Sequence, residues 1–302
     1  MLDILMRTGS FVAIIVLGNL LKRIGFFKES DFTLLSKITL RITLPCAIIL
    51  SFAGREIDPA LFALPVMGLA CGLIYIASGF VMNRKSTPDK RAFEMLNLSG
   101  YNIGTFVIPF AQSFIGTMGV MTASIFDVGN AVICLGGAYS LADMVKVGSG
   151  FSAKRILRAL SRSVPFVTYM IMLAMNLIHL PVPEFVLSVA SIGSNANAFM
   201  AMLMIGVGFR LEANRAQLKT LSRLLAVRYG LAAAFACAMY FLTPFALEVR
   251  QVLVILAFAP IGSAVPGFTE ELKGDVGLSS ALNSLSIVIS ITIIVGLLTV
   301  MM

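Results

Sequence analysis

The fold is decided by residues 101–109, whose sequence is YNIGTFVIP, because this stretch interrupts a long apolar segment. Pro109 has no N–H, so the carbonyl of Thr105, four residues earlier, would lose its helical donor. Gly104 loosens the same turn. We therefore predict a helix that breaks within the membrane. Such a break is tolerated only where protein or a watery cavity receives the free backbone groups.

A second interruption of the same kind lies near the other end of the chain, at residues 259–267, with the sequence APIGSAVPG. Two interrupted hydrophobic segments at corresponding places in two halves of a chain indicate the binding site of a secondary transporter.

The composition indicates an integral membrane protein. The chain has 302 residues, of which 58% are hydrophobic and 13% charged, whereas soluble proteins average roughly 45–50% apolar and about 25% charged residues. The net charge of +8 does not indicate nucleic acid, because the basic residues cluster in short loops between apolar segments. The expected surroundings are therefore a lipid bilayer, with no nucleic-acid partner.

A spanning helix needs about 20 mostly apolar residues, and the sequence predicts ten such segments, of which the fourth and ninth are broken. Their predicted ranges are Thr8–Ile24, Leu34–Ala53, Ala60–Met82, Arg91–Ile115, Val120–Leu141, Val164–Leu180, Glu184–Phe209, Leu221–Phe241, Glu248–Glu270 and Leu278–Val300.

Charge and repeat patterns predict the topology. Seventeen of the 23 Lys and Arg residues lie in the odd-numbered loops, so these loops should face the cytoplasm and both termini the outside. A basic linker, residues 143–163, separates a first five-helix repeat, 1–142, from a second, 164–302. An odd number of helices per half inverts the second half. The sequence thus predicts an all-α membrane protein of two inverted five-helix repeats, with crossing broken helices.

Crossing at the two breaks would bring free backbone groups together at mid-membrane. Carbonyl ends can hold a cation and N–H ends an anion. The predicted substrate-binding residues are Asn102, Gly104, Thr105, Pro109, Gly262, Ser263, Pro266, Asn195 and Asn283. Asn102 has a second interpretation, that it only caps the broken turn. Asn195 and Asn283 have another, that they join neighbouring helices.

Asp127 and Asn130 are the predicted ion-coupling residues. A carboxylate deep in the fifth span is a functional candidate, and Asn130, three residues on, faces the same side. Asp127 is either a proton carrier or part of a sodium site, and a structural hydrogen bond is the third alternative. Arg41 is expected to extend to the cytoplasmic surface rather than bind substrate. No cofactor is predicted, and since no phosphate-loop, zincin or nucleophile-elbow motif is present, no enzymatic activity is expected.

The two interrupted stretches, NIGTFVIP (102–109) and APIGSAVP (259–266), together with Leu44-Pro45 and Ile205-Gly206, resemble the auxin efflux carrier family. The resemblance implies ten helices in two inverted halves, a scaffold and a moving part, and a homodimer. It implies that Asn102 matches the family asparagine that meets the substrate carboxylate. Asn195 stands where plant members have an acidic residue. The long cytoplasmic loop of plant members is missing, which implies a prokaryotic permease.

Together these observations predict a secondary transporter of small organic anions in the cell inner membrane, working by alternating access. The rival interpretation is a non-transporting sensor or receptor that uses the same pocket for a small carboxylate.

Overall fold

The computed structural model describes residues 2–210 and 217–301, and in these ranges the regular structure is helical throughout, without a strand. Arg215, one of the loop cations that orient the chain, lies outside the described residues, as do Met1 and Met302. The helices are α1 (Leu2–Arg23), α2 (Asp31–Phe52), α3 (Pro59–Met82), α4 (Pro88–Leu98), α5 (Ile108–Phe114), α6 (Thr117–Val147), α7 (Ala153–Arg162), α8 (Val164–Leu177), α9 (Glu184–Gly208), α10 (Leu218–Leu242), α11 (Leu247–Ala257), α12 (Val265–Glu271) and α13 (Val276–Met301).

Seven of these helices are long and apolar enough to cross a membrane: α1, α2, α3, α6, α9, α10 and α13. They coincide with the first, second, third, fifth, seventh, eighth and tenth predicted spans. Helices α7 and α8 would add an eighth if they form one span, although they are bent by 79°. The prediction of an all-helical, multi-pass membrane protein is confirmed.

The chain is interrupted in both segments where an interruption was predicted. Helix α4 ends at Leu98, and a π turn, Ile103–Val107, leads into α5. Helix α11 ends at Ala257, and α12 begins at Val265. The connecting residues are called the first break (residues 99–102) and the second break (residues 258–264).

The expectation that Pro109 opens the first break is wrong. Pro109 lies in the first turn of α5, which continues directly from the π turn at Ile103–Val107, so the chain stays helical through Pro109. The chain leaves the helix earlier, where Ser99 is extended and Gly100 has a φ of 70°. A residue with a Cβ is strained at that φ, and its Cβ would lie 2.5 Å from the Sγ of Cys134. The glycine that makes the break is therefore Gly100, not Gly104.

The helices pack as two groups. In the first group α9 packs against α1 and α2, and α2 packs against α8; α3, α4, α6 and α10–α13 form the other group. Glycines bring backbones close within each group: a Cβ at Gly206 would lie 2.1 Å from the carbonyl of Ile15, and one at Gly129 would lie 1.7 Å from that of Pro65. Such small residues allow close helix contact in a membrane. Helices α2 and α6 join the two groups.

Helix α7 is a short amphipathic helix within the predicted linker. It buries Ile156 and Leu160 against the π turn at Ile133–Gly137, where α6 bends. Its Arg155 binds the carboxylate of Glu271 at 2.5 Å and lies 3.8 Å from the ring centroid of Tyr139. The linker is therefore partly ordered and attached to the second half of the ninth segment.

Candidate functional site

A cavity of about 360 Å³ lies between the two helix groups and against both breaks. It contains seven of the eleven residues predicted for substrate binding and ion coupling. These are Asn102, Gly104, Thr105, Asp127, Asn130, Gly262 and Ser263. Apolar side chains of α2 and α8 complete its wall, among them Leu44 and Phe166. We call it the first cavity.

Three π turns border the first cavity. They are Thr39–Thr43 in α2, Ile103–Val107 before α5, and Ile133–Gly137 in α6, and each contributes residues to the wall. A π turn widens the helix and disturbs its hydrogen-bond ladder, and such turns occur often at functional sites. The sequence signals none of them individually, because they depend on the neighbouring helices.

The first break is held by Asn130 on α6. The Oδ1 of Asn130 accepts a hydrogen bond from the N–H of Tyr101 at 3.0 Å, and its Nδ2 donates to the carbonyl of Tyr101, also at 3.0 Å. One side chain thus satisfies both backbone polar groups of a residue that lies outside the helix. This role was not predicted for Asn130.

The second break is held by α13 in a similar way. Asn283 donates to the carbonyls of Ile261, at 2.9 Å, and Gly262, at 3.2 Å. The hydroxyl of Ser286 accepts from the N–H of Ile261 at 3.0 Å. Asn283 therefore contacts the break backbone directly.

The two breaks contact each other. The N–H of Asn102 donates to the carbonyl of Pro260 at 2.9 Å. The Oδ1 of Asn102 accepts from the hydroxyl of Thr105 at 2.5 Å, which leaves its Nδ2 without an acceptor among the described residues. An amide N–H with no protein acceptor, on the wall of a cavity, is suited to bind an anion.

Asp127 lies beside the first break. Its Oδ1 accepts from the Nδ2 of Asn130 at 2.7 Å, and its Oδ2 accepts from the hydroxyl of Tyr169 at 2.9 Å. Asn130 therefore connects this carboxyl group to the backbone of Tyr101. A change in the charge of Asp127 would therefore alter the hydrogen bonds of Asn130, which holds the backbone of the first break.

Two arginines stand at the edge of the first cavity, Arg41 on α2 and Arg162 at the end of α7. Both are exposed. Arg41 was expected to extend to the cytoplasmic surface; it is solvent-exposed and also lines the cavity. The two guanidinium groups give the cavity mouth a positive charge.

A second cavity, of about 470 Å³, shares Asn102, Ser263 and Ala264 with the first. It also contains the predicted residues Pro266 and Asn283. The two cavities therefore adjoin at the paired breaks, and Asn102 lines both.

Two predicted substrate-binding residues lie elsewhere. Asn195 is exposed on α9 and lines neither cavity, whereas its neighbour Asn197 is fully buried. Pro109 is buried in α5 and also lines neither cavity. Their places in the sequence did not reveal which side of the helix faces the cavity.

Two buried charged residues were missed. Glu94 on α4 is fully buried, accepts from Asn83 at 2.5 Å and pairs with Arg223. Arg228 on α10 is also buried and donates to carbonyls of both breaks. A cation in the middle of an apolar segment was the available signal, since ionisable residues inside a membrane are functional candidates by default.

No group of three or more His, Cys, Asp or Glu side chains that could hold a metal ion occurs within residues 2–210 and 217–301. The polar groups at the breaks are amides, hydroxyls and backbone groups.

Comparison with known protein families gives a match over residues 5–147. Residues 5–147 match the family model Mem_trans, described as a membrane transport protein, which is the domain of the auxin efflux carrier family. The match includes the first break and Asp127 but not the second break. No curated protein matches the chain. Residues 5–147 of the chain therefore match the auxin efflux carrier family of membrane transport proteins.

Proposed function

We propose that the protein is a secondary transporter of small organic anions such as carboxylates. The observation that supports this most is the hydrogen bond between the two breaks, from Asn102 to Pro260 at 2.9 Å. It places interrupted backbone from both halves beside a cavity. Binding sites of secondary transporters are built from such discontinuous helices.

The proposed architecture has ten spans in two inverted halves, 1–142 and 164–302, joined by the linker 143–163. Seven spans are the long helices, α8 is the sixth, and the two interrupted segments are the fourth and ninth. The contact between the breaks supports a crossing of these two segments. The halves then correspond to the predicted inverted repeat.

The two helix groups would move relative to each other. Both cavities are bordered by connections rich in Lys and Arg, near Arg162 and Arg210, which the positive-inside rule places in the cytoplasm. Polar contacts close the opposite side: Gln112 donates to the hydroxyl of Ser194 at 2.9 Å and accepts from Asn197 at 3.3 Å. The structure thus fits an inward-facing state of an alternating-access cycle.

The anion would bind at Asn102. Its free Nδ2 and the N–H groups at the start of the π turn offer donors, and Arg41 and Arg162 attract negative charge to the mouth of the cavity. The apolar wall would contact the rest of the substrate. No cofactor is invoked beyond a coupling ion, for which Asp127 with Asn130 is the proposed site.

The remaining parts of the proposal concern location and assembly. A prokaryotic permease of this kind lies in the cell inner membrane with both termini outside the cytoplasm, and it forms a homodimer in the lipid bilayer. It is not an enzyme, as the transporter family suggests. The rival function is a sensor that binds a small carboxylate without transporting it.

The test begins with ligand binding. Purified protein is screened by thermal shift against mono- and dicarboxylates, because a ligand that binds the folded state raises the melting temperature. The stabilising compounds are then tested for flux into proteoliposomes. Binding together with flux supports the transporter, and binding without flux favours the sensor. Absence of any stabilising carboxylate contradicts both.

A further inference from the structure

Arg228 is the largest fully buried side chain among the described residues. It lies ten residues into α10, which at about 1.5 Å per residue places it roughly 15 Å from the helix end. A cation at that depth is costly unless it is bonded. Within the described chain no carboxylate lies within ion-pair distance of it.

The partners of Arg228 are backbone carbonyls of both breaks. Its Nη1 donates to the carbonyl of Leu98 at 2.6 Å. Its Nη2 donates to the carbonyls of Gly100 and Ala259, each at 2.9 Å. One guanidinium group therefore joins the end of α4 to the end of α11, at the place where each helix stops.

Two tyrosines hold the guanidinium in this position. Its carbon lies 4.9 Å from the ring centroid of Tyr75 and 5.5 Å from that of Tyr101, within the range of cation–π contact. Tyr75 also donates from its hydroxyl to the carbonyl of Arg228 at 3.1 Å. The group is thus enclosed by rings and carbonyls and cannot move away without breaking these contacts.

Carbonyls at the C-terminal end of a half-helix carry partial negative charge, and in discontinuous transporter helices they coordinate a coupling cation such as sodium. Here these carbonyls already bind a covalently attached cation. We propose that Arg228 is a built-in cation that replaces a sodium ion at the paired breaks, so that anion binding at Asn102 requires no sodium there.

The role of Arg228 rests on the proposed function for the anion at Asn102. Its effect on the stability of the paired breaks does not depend on that function. Gly100 is two residues from Asn102, and Ala259 precedes Pro260, whose carbonyl accepts from Asn102. Arg228 therefore positions the backbone that presents Asn102. It also brings a positive charge close to the expected anion without contacting the cavity.

The first experiment uses the wild-type protein. Its melting temperature, and its affinity for a carboxylate found in the screen, are measured in sodium chloride and in N-methyl-glucamine chloride at equal ionic strength. The same measurements are made on Asp127→Asn, which removes the other candidate sodium ligand. We expect neither quantity to depend on sodium in this variant. A rise in melting temperature with sodium, or a tenfold or larger gain in anion affinity, that persists in Asp127→Asn would overturn the proposal.

The second experiment removes the built-in cation. Arg228→Met leaves the carbonyls of Leu98, Gly100 and Ala259 without this donor, so we expect a lower melting temperature and roughly tenfold or more weaker anion binding. Methylguanidinium should raise the melting temperature of this variant and not that of the wild type. No effect of the ion on a folded Arg228→Met would count against the proposal.

Arg250→Met is the matched control. Arg250 also donates to a carbonyl, that of Tyr240 at 3.1 Å, and also lies over a tyrosine ring, at 5.4 Å, but it does not contact either break. Its loss should not alter anion affinity. If Arg228→Met does not fold, the sodium experiment on the wild type and Asp127→Asn still decides. If no carboxylate binds at all, the proposed function fails while the melting temperatures still test Arg228.

Discussion

The first and second breaks are held in a similar way but differ in the polar groups beside them. At each break an asparagine of a neighbouring helix, Asn130 or Asn283, binds the free backbone. Only the first break has a carboxyl group in this arrangement, because Asn130 also donates to Asp127. At the second break the remaining polar group is the hydroxyl of Ser286. Of the groups that hold the two breaks, the one that can gain or lose a proton, Asp127, therefore lies beside the first break.

The two breaks also share one cation. Arg228 donates to the carbonyl of Gly100 in the first break and to that of Ala259 in the second. The guanidinium group therefore links the two breaks into one structural unit. A functional asymmetry between them must therefore come from Asp127 and from the free amide of Asn102, which both belong to the first break.

The largest expected effect is on stability. Asn130→Leu removes the partner of the Tyr101 N–H and of one oxygen of Asp127, and it leaves the Tyr101 carbonyl only the weak thiol donor of Cys134. Each unsatisfied buried group costs about 1–3 kcal/mol. We expect a destabilisation of about 3 kcal/mol or more. Asn283→Leu should cost less, about 2 kcal/mol or more, because it leaves only the two carbonyls of Ile261 and Gly262 without a donor while Ser286 still accepts from Ile261.

The measurement is thermal unfolding of both variants in the same detergent, with Asn195→Leu as the exposed control on α9. The control should melt like the wild type. Equal losses of stability for Asn130→Leu and Asn283→Leu would show that the two asparagines stabilise their breaks equally. Such a result would contradict the expected difference between the two breaks.

The second effect is on affinity. Asn102→Ala removes the amide that faces both cavities, and a hydrogen bond to a charged group contributes about 1.5–3 kcal/mol, which is roughly tenfold or more in affinity. Isothermal titration with a carboxylate from the screen measures it. Asn195→Ala should bind as the wild type does. Unchanged affinity in Asn102→Ala would mean that Asn102 only caps the first break and does not bind the anion.

The smallest effect on binding, and the most specific one, concerns coupling. Asp127→Asn removes the only carboxyl group among the residues that hold the two breaks, so we expect uptake to lose its response to an imposed pH gradient while anion affinity changes less than about twofold. Proteoliposome flux under separate proton and sodium gradients measures this. Tyr169→Phe, which removes a donor to Asp127 but keeps the carboxyl group, should retain the pH response.

Full pH-driven uptake by Asp127→Asn would make Asp127 a structural hydrogen-bonding group. The two breaks would then be chemically equivalent with respect to coupling. A response to sodium alone, abolished by the same substitution, would place a sodium site at Asp127 and away from the carbonyls that Arg228 binds.

Much of the fold could be predicted because the bilayer leaves few alternatives. Backbone groups cannot remain unpaired in hydrocarbon, so long apolar segments must form helices, and seven predicted spans appear as long helices in the structure. The same rule locates the two interruptions, since Gly and Pro within an apolar segment need a partner for the freed backbone. The residues near them, Asn102, Gly104, Thr105, Gly262 and Ser263, accordingly line the first cavity.

The tertiary structure decided which groups complete the site. The direction in which Asn195 points, the hydrogen bonds of Asn130 and Asn283 to the breaks, and the burial of Arg228 between them depend on contacts between segments distant in the sequence. Hydropathy records how apolar a segment is but not which neighbour each polar side chain meets. Gly100 and not Pro109 makes the first break, because the local conformation was settled by the contact with Pro260 and by the donors that the surrounding helices supply.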